Sequence, residues 1–256
     1  MASVAWLHVA PVKGLALVER DEIELGLDGV EENRRFCVVD ADGRRYGALR
    51  DGRLQAIRPR WDGRSRVLAL EFPDGSVVVD EVALDGEADT DIFDRRVPIR
   101  WVAGPWGAAL SAYAGRPLRL ALAESSNGSV DRDRGPVTLV SRASVDELGR
   151  RSGVGAVDPR RFRMLVGLDG CRPHEEDEWI GRRVRLGDAV VRPLEQVARC
   201  AITTQNPETG LVDFDTVREL IAYRGLRDGR HADMGIYGEV VRPGRVRLGD
   251  AAEPLE

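Results

Sequence analysis

Apolar and polar residues alternate in short runs along the first third of the chain. The runs are rich in valine, isoleucine and leucine, and turn signals such as DADG and FPDG separate them. A period of two with such turns is typical of β-strands, and the regular spacing favours a barrel or a sandwich. The strands predicted from this pattern are 4–9, 21–25, 35–40, 53–60, 66–72 and 76–82.

The rest of the chain continues the strand pattern and adds a few short helices. Further strands are predicted at 97–102, 117–122, 136–141 and 160–168, and hairpins at 183–200, with a GD turn, and at 236–252, with an RPGR turn. Helices are predicted at 104–115, at 144–151 with Ser144 as N-cap, and at 215–224 with inward-facing Val217, Leu220 and Ile221. Together these elements predict a mainly β fold of the α+β class.

One polar segment, ESSNGSVDRDRG at 124–135, interrupts this succession of elements. It is rich in serine, glycine and aspartate and has no hydrophobic periodicity, which is typical of a domain boundary or a mobile loop. The sequence therefore predicts two domains, residues 1–123 and residues 124–256.

Composition and charge exclude several classes of function. The chain has 256 residues, of which 43% are hydrophobic and 32% charged, and its net charge of −5 disfavours general nucleic-acid binding. No apolar run reaches the roughly 18 residues of a membrane-spanning helix, and no signal peptide opens the chain. The three cysteines are odd in number and form no CxxC pair. These observations predict a protein of the reducing cytoplasm that binds neither nucleic acid nor membrane.

Basic side chains at strand ends offer a candidate anion site. Lys13 is the only lysine among 38 basic residues and lies with Gly14 in PVKGL, where it would bind a phosphate or remain solvated. The stretch ENRRF places Arg34 and Arg35 at the start of a strand, where their side chains would face opposite sides. The stretch RRFRM leaves a similar choice for Arg163. Lys13, Arg35 and Arg163 would form an anion pocket only if the fold brings them together.

Cys200, in the stretch ARCAITTQNPETG, is the candidate reactive residue. From the residues alone, three roles remain: a buried structural thiol, a nucleophile or a metal ligand. Arg199 would lower the pKa of the Cys200 thiol if its guanidinium lay against the sulfur. A thiolate nucleophile usually needs a base, and none of the three histidines has a sequence context that pairs it with Cys200. A metal ligand is therefore at least as well supported as a nucleophile.

Several of these motifs, in this order, resemble those of a known family. They are PVKG, NRRF, VSRASVDEL, FRM, ARCAITTQNPETG and MGIYGEVVRPGRVRLGD. The chain resembles the MOSC-domain proteins that carry an N-terminal MOSC β-barrel domain, such as the mitochondrial amidoxime-reducing components and their bacterial relatives. The resemblance implies an N-terminal MOSC-type β-barrel domain at 1–123, packed against a β-rich MOSC domain with a few short helices at 124–256.

The resemblance also implies a molybdenum–molybdopterin cofactor. It makes Cys200 the catalytic residue and the metal ligand, and it assigns the pterin and its phosphate to Lys13, Arg35, Ser141, Ser144, Arg163 and Arg199. The implied activity is the reduction of N-hydroxylated or N-oxygenated small molecules, with electrons from a separate electron-transfer protein. The alternatives are a sulfur-carrying or cofactor-handling protein with a Cys200 persulfide, and a β-barrel binding module with a buried Cys200. Residues 44–55 match the family pattern poorly, so the sequence leaves the rim of the site and the substrate undetermined.

Overall fold

The computed structural model describes residues 1–92, 95–123 and 135–255. Its strands are β1 (Ala2–Val9), β2 (Val18–Arg20), β3 (Glu22–Leu25), β4 (Phe36–Asp40), β5 (Arg45–Tyr46), β6 (Arg58–Asp62), β7 (Val67–Glu71), β8 (Val77–Glu81), β9 (Ala83–Ile92), β10 (Arg95–Ala103), β11 (Leu118–Ala123), β12 (Val137–Ser141), β13 (Val166–Asp169), β14 (Val184–Leu186), β15 (Ala189–Ala198), β16 (Asp233–Arg242), β17 (Gly244–Arg247) and β18 (Ala251–Pro254). Its α-helices are α1 (Trp106–Ala114), α2 (Arg142–Ser152) and α3 (Thr216–Arg224), and short 3-10 helices lie at Gly52–Ala56, Pro159–Phe162, Glu175–Trp179 and Ala201–Thr204. The predicted mainly β fold of the α+β class is confirmed.

The predicted boundary between the two domains falls on residues that the structure does not describe. Residues 124–134 of the predicted boundary segment lie outside the described ranges. The division at 123 and 124 therefore stays a prediction. In the part of the chain that the structure covers, no helix is long and apolar enough to cross a membrane.

Seven strands close into a β-barrel that is built mainly from the second half of the chain. The pairing runs β13–β12–β16–β15–β14–β18–β1 and returns to β13, so the N-terminal strand completes the barrel. The inward-facing side chains form one apolar core, which includes Leu7, Val9, Leu139, Val191 and Ile236, each at most 1% exposed. The barrel strands do not keep a strict period of two: all five residues of β12 are buried, because both faces of this strand are covered.

Most of the remaining strands form two further sheets around a second core. A five-stranded sheet has the order β5–β4–β11–β10–β9, and a three-stranded sheet has the order β6–β7–β8. Phe36 from the first sheet, Leu68 from the second and Trp106 from α1 belong to one buried cluster. The Trp106 indole Nε1 donates to the Leu68 carbonyl at 3.1 Å, which satisfies its one polar group inside the core.

The two hairpins predicted near the C-terminus have different outcomes. The hairpin at 183–200 is confirmed, because β14 pairs with β15 across a turn at Gly187 and Asp188. The hairpin at 236–252 is wrong, because β17 pairs with β3 near the N-terminus and β18 pairs with β14 and β1. An apolar run identifies a strand but not its partner, and here the partners are distant in sequence.

Two predicted strands begin as short 3-10 helices, because an aspartate caps each helical turn. The strand predicted at 160–168 begins only at Val166, since Asp158 accepts a backbone hydrogen bond from the turn that precedes it. The strand predicted at 53–60 also has a helical first half, which Asp51 caps in the same way. Such a cap satisfies an otherwise unpaired backbone N–H and starts a helical turn.

Two details of the predicted helices are wrong. Helix α2 begins at Arg142, because Ser141 and not Ser144 is its N-cap; the Ser141 Oγ accepts from the Ser144 backbone N at 3.0 Å. In α3, Leu220 is fully buried but Ile221 is 38% exposed. Successive residues are about 100° apart around a helix, so both cannot face the same core.

Candidate functional site

Cys200 lies two residues after the end of β15, at the start of the 3-10 helix Ala201–Thr204. It is the N-cap of this helix and has extended backbone angles. Thr203 fixes the turn, because its backbone N and its Oγ1 both donate to the Cys200 carbonyl at 3.1 Å. The Cys200 side chain is exposed, so the alternative of a buried structural thiol is wrong.

The polar residues that follow Cys200 are engaged within the protein. Thr203, Thr204 and Gln205 are all buried. The Thr203 and Thr216 hydroxyls share a hydrogen bond of 2.5 Å, and the Thr204 hydroxyl donates at 2.7 Å to a backbone carbonyl of the same 3-10 helix. These bonds fix the shape of the loop and leave Cys200 at its surface.

Cys200 lines a cavity of about 150 Å³ in which the charged side chains are all basic. Five cationic residues line this Cys200 cavity, from segments far apart in the sequence: Lys13, Arg34, Arg45, Arg163 and Arg199. None of its described lining residues is an aspartate or a glutamate. Basic side chains that cluster in one cavity wall create a positive potential there, which favours an anionic ligand.

Lys13 reaches the Cys200 cavity from the turn that follows β1. Its backbone N donates to the Phe36 carbonyl at 2.8 Å, which anchors the turn to the start of β4. The next residue, Gly14, has a φ of +89° and packs against the Ala48 backbone, where a side chain would be strained. Burial and the neighbouring arginines lower the pKa of Lys13 well below its usual value. A bound anion would favour the charged ammonium and offset part of this cost.

Arg34 and Arg163 meet at the cavity in a strained arrangement. Both have left-handed backbone angles, with φ of +59° and +52°, which are uncommon for residues other than glycine. The Arg34 Nη2 donates to the Arg163 carbonyl at 2.9 Å, so the Arg34 side chain is fixed against the backbone at Arg163. Burial lowers the pKa of the Arg163 guanidinium to about 10. Backbone strain of this kind often accompanies functional sites.

Arg45 is a cavity residue that sequence reasoning missed. It lies on β5 and pairs across to Val39 of β4. Burial is the main cause that lowers the pKa of the Arg45 guanidinium. The only signal was the basic run RRYGALR, within residues 44–55, and nothing local in that run indicates that β5 lies beside Lys13.

Arg199 holds the backbone on two sides of the Cys200 cavity. Its Nε and Nη2 donate to the Met234 carbonyl at 2.9 and 2.8 Å, and its Nη1 donates to the Phe162 carbonyl at 2.9 Å. The guanidinium also lies 5.5 Å from the centre of the Phe162 ring. Arg199 therefore contributes positive charge to the cavity wall and joins β16 to the 3-10 helix that ends at Phe162.

Three of the predicted cofactor residues lie outside the lining of the Cys200 cavity. Arg35 is one of them, and its neighbour Arg34 occupies the cavity wall instead. Ser141 and Ser144 are fully buried at the start of α2, where the Ser144 hydroxyl donates to Glu176 Oε1 at 2.7 Å. The structure thus brings together Lys13, Arg163, Arg199 and Cys200, while the role of the other three residues in cofactor binding stays a prediction.

The donor set of the cavity suits a ligand that combines a phosphate with a thiolate-binding metal. Guanidinium and ammonium groups bind phosphate by charge-assisted hydrogen bonds, and a cysteine thiolate is a soft metal ligand. Among the described residues, no group of three or more histidine, cysteine and acidic side chains could hold a metal ion. A metal at Cys200 would therefore take its other ligands from a bound cofactor.

Comparisons with known proteins cover both halves of the chain. Residues 127–253 match the family model of the MOSC domain, and residues 1–97 match that of the MOSC N-terminal beta barrel domain. The mitochondrial amidoxime reducing component 2 of Rattus norvegicus is 30% identical over 279 residues, which cover 97% of this chain and 81% of the relative.

Two more distant matches extend the comparison. The molybdenum cofactor sulfurase of Oryza sativa subsp. japonica is 26% identical over 249 residues, which cover 84% of this chain but only 30% of that relative. The crystal structure of the YUAD protein from Bacillus subtilis superposes with a TM-score of 0.50 at 15% identity, covering 99% of this chain and 96% of that one. At this identity the structural likeness shows a shared fold alone.

Proposed function

Because this chain belongs to the family of MOSC-domain proteins with an N-terminal MOSC β-barrel domain, we propose that it binds a molybdenum–molybdopterin cofactor in the Cys200 cavity. The observation that carries the proposal is the exposed thiol beside five cationic side chains, with no carboxylate among the described lining residues. The similarity to a molybdenum cofactor sulfurase supports the same cofactor, and the similarity to an amidoxime reducing component supports a reduction.

The side chains divide into a metal ligand and a phosphate site. The Cys200 thiolate would bind the metal at the cavity surface. Lys13, Arg34, Arg45 and Arg163 would bind the phosphate, because these basic side chains come from four separate segments and line the same cavity. When bound, the cofactor supplies two-electron oxygen-transfer chemistry that no side chain can supply.

We propose that the reaction is the reduction of an N-hydroxylated compound such as an amidoxime. The N–O bond breaks, two electrons and two protons are consumed, and an amidine and water are formed. The electrons come from a separate electron-transfer protein in the cytoplasm. The chain's own part is to orient the cofactor, to present Cys200 at the cavity surface and to hold positive charge beside the phosphate.

The test is metal and pterin analysis of the wild-type protein purified from a molybdenum-replete host. We expect molybdenum and pterin to copurify with the chain, and benzamidoxime reduction to follow the molybdenum content. Cys200→Ser should retain part of the pterin, lose activity and change the molybdenum electron paramagnetic resonance signal. The matched control, Cys171→Ser, should leave that signal unchanged. Wild-type protein without molybdenum and pterin would contradict the proposal.

A second function, sulfur carriage by a Cys200 persulfide, is favoured by the exposure of this thiol. A persulfide sulfur must reach a partner, and an exposed cysteine beside positive charge meets that need. Treatment with cyanide distinguishes the two functions. Release of thiocyanate from metal-free wild-type protein, but not from Cys200→Ser, would favour sulfur carriage over reduction.

A further inference from the structure

A chain of hydrogen bonds joins the Cys200 loop to the Arg163 side chain. Arg163 Nη1 donates to Gln55 Oε1 at 3.4 Å, and Gln55 Nε2 donates to Gln205 Oε1 at 2.7 Å. Gln205 Nε2 then donates to the Ala48 carbonyl at 2.8 Å. Both glutamines are buried, with 2% and 8% of their surface exposed. We refer to this set as the amide relay.

The amide relay has a defined direction. The Ala48 carbonyl can only accept, so the Gln205 amide must turn its NH₂ group toward Ala48 and its oxygen toward Gln55. The same reasoning turns the Gln55 oxygen toward Arg163. A reversed Gln55 amide would place N–H donors against the donors of the guanidinium, and burial would leave both unsatisfied. Gln205, five residues after Cys200, thereby sets the orientation of the Gln55 amide. The Gln55 oxygen is then the acceptor for Arg163.

The Gln55 amide that accepts from Arg163 is neutral, so this hydrogen bond does not cancel the positive charge of the guanidinium. Arg163 lies between two cavities, because it lines both the Cys200 cavity and a second cavity of about 290 Å³ that Gln55 also lines. The other bond of the guanidinium, from Nη2 at 2.7 Å, goes to the Leu15 carbonyl and is also to a neutral acceptor. A carboxylate at position 55 would form an ion pair with Arg163 and compete with an external anion.

We propose that Gln55 and Gln205 are positioning residues of the anion site, which hold the Arg163 guanidinium in place without neutralising its charge. The inference rests on the proposed function, because it assumes that the Cys200 cavity binds a phosphate. It goes beyond that function by giving a role to two glutamines that do not touch the metal ligand.

Titration of the purified protein with inorganic phosphate, followed by calorimetry, tests the proposal. Gln55→Glu should weaken phosphate binding by about tenfold or more, the effect of losing one charge-assisted hydrogen bond. Gln55→Met and Gln205→Met, which remove the relay without adding charge, should weaken binding by a smaller factor. Arg64→Gln is the matched control, because it lowers the net charge by one at an exposed turn outside both cavities. It should bind phosphate as the wild type does.

The comparison between variants separates positioning from a purely structural role. If Gln55 only fills space, Gln55→Met should lose at least as much affinity as Gln55→Glu, and that order would overturn the proposal. Should Gln55→Glu not fold, unchanged phosphate affinity in both methionine variants would overturn it equally. Absence of phosphate binding by the wild-type protein would overturn the anion site and the relay together, whereas normal binding by every variant would overturn the relay alone.

Discussion

The three cysteines occupy environments that differ enough to separate them by reactivity. Cys37 is fully buried on β4, and burial raises the pKa of its thiol to about 12. Burial and nearby glutamates also raise the pKa of the half-buried Cys171 to about 12. Only Cys200 is exposed. Because the thiolate is the reactive form, the environment of Cys200 alone permits fast alkylation.

We therefore expect one fast-reacting thiol per native chain. At pH 8, a small maleimide should modify Cys200 within minutes and leave Cys37 and Cys171 unmodified, as peptide mass spectrometry would show. All three thiols should react once the protein is unfolded. Fast modification of Cys37 in the native protein would contradict the burial on which this expectation depends.

The sequence could not predict which of two neighbouring arginines, Arg34 or Arg35, lines the cavity. Strand alternation places Arg34 and Arg35 on opposite sides but does not say which side faces a site. The alternation does not apply here, because Arg34 lies before β4 in a left-handed conformation. Of the three residues in the hypothetical anion pocket, Lys13 and Arg163 line one cavity and Arg35 does not.

Substitution of each arginine tests which of the two binds the anion: Arg34, which lines the cavity, or Arg35, which the family resemblance implies. Arg34→Gln should weaken inorganic phosphate binding by about tenfold, since a cavity cation is lost. Arg35→Gln removes the same charge from the adjacent position and should change the affinity by less than about threefold. Isothermal titration measures both. A larger loss of phosphate affinity in Arg35→Gln would show that Arg35 is part of the anion site.

At the scale of elements, two loops meet through their backbones beside the amide relay. A Cβ at Gly52 would lie 2.0 Å from the Gly210 carbonyl oxygen, and a Cβ at Gly210 would lie 1.9 Å from the Gly52 oxygen. No side chain fits in this contact, so glycine at both positions lets the 3-10 helix before β6 approach the loop after Cys200. The contact has no signature in either segment alone.

Gly52→Ala should therefore separate the two loops. We expect a loss of more than about 2 kcal/mol in the free energy of unfolding, as for other severe steric clashes, together with weaker phosphate binding. Gly63→Ala is the matched control, because its Cβ would meet nothing nearer than the Trp61 Nε1 at 3.5 Å. Thermal unfolding of both variants measures the difference, and we expect a lower midpoint for Gly52→Ala. Equal midpoints would show that the loops can move apart at little cost in stability.

The pairing of β1 with β2 contains a buried histidine that makes stability depend on pH. His8 is 5% exposed, and its Nδ1 has no hydrogen-bond partner among the described residues. Burial, followed by the charge of Arg160, lowers the pKa of His8 to about 4. The unfolded chain takes up a proton on His8 near pH 6.5, whereas the folded chain does so only near pH 4. Stability is thus fully present above pH 6.5 and is lost as the pH falls toward 4.

His8→Phe should reduce this dependence. The wild type should lose about 2 kcal/mol between pH 7.5 and pH 5 through His8 alone. The variant keeps an aromatic ring beside Trp6 and removes the titrating group, so its loss over this range should be smaller by about that amount. Urea unfolding at both pH values measures the difference. An identical pH dependence in the two proteins would mean that His8 does not remain neutral in the folded state.

At the scale of the whole molecule, the sequence predicted the fold class but not the connections that assemble the site. Short apolar runs between turn signals identified most strands, and some of these strands, such as β4 and β12, are buried on both faces. The apolar runs could not show that β1 closes the barrel formed by later strands, or that β3 pairs with β17, since these partners are more than a hundred residues apart. The same non-local pairing brings Lys13, Arg45 and Cys200 to one cavity, so the cavity could be foreseen only in part, through the motifs of the resembling family.

The proposed enzyme should depend on a separate electron donor. The sequence contains three cysteines, whereas a common iron–sulfur cluster has four cysteine ligands. Wild-type protein from a molybdenum-replete host should therefore reduce benzamidoxime with dithionite-reduced methyl viologen and show no sustained rate with NADH or NADPH alone. Protein from a host that cannot make the pterin cofactor is the control for reduction by the dye itself. Steady turnover on a nicotinamide donor, with no added protein, would contradict the requirement for a partner.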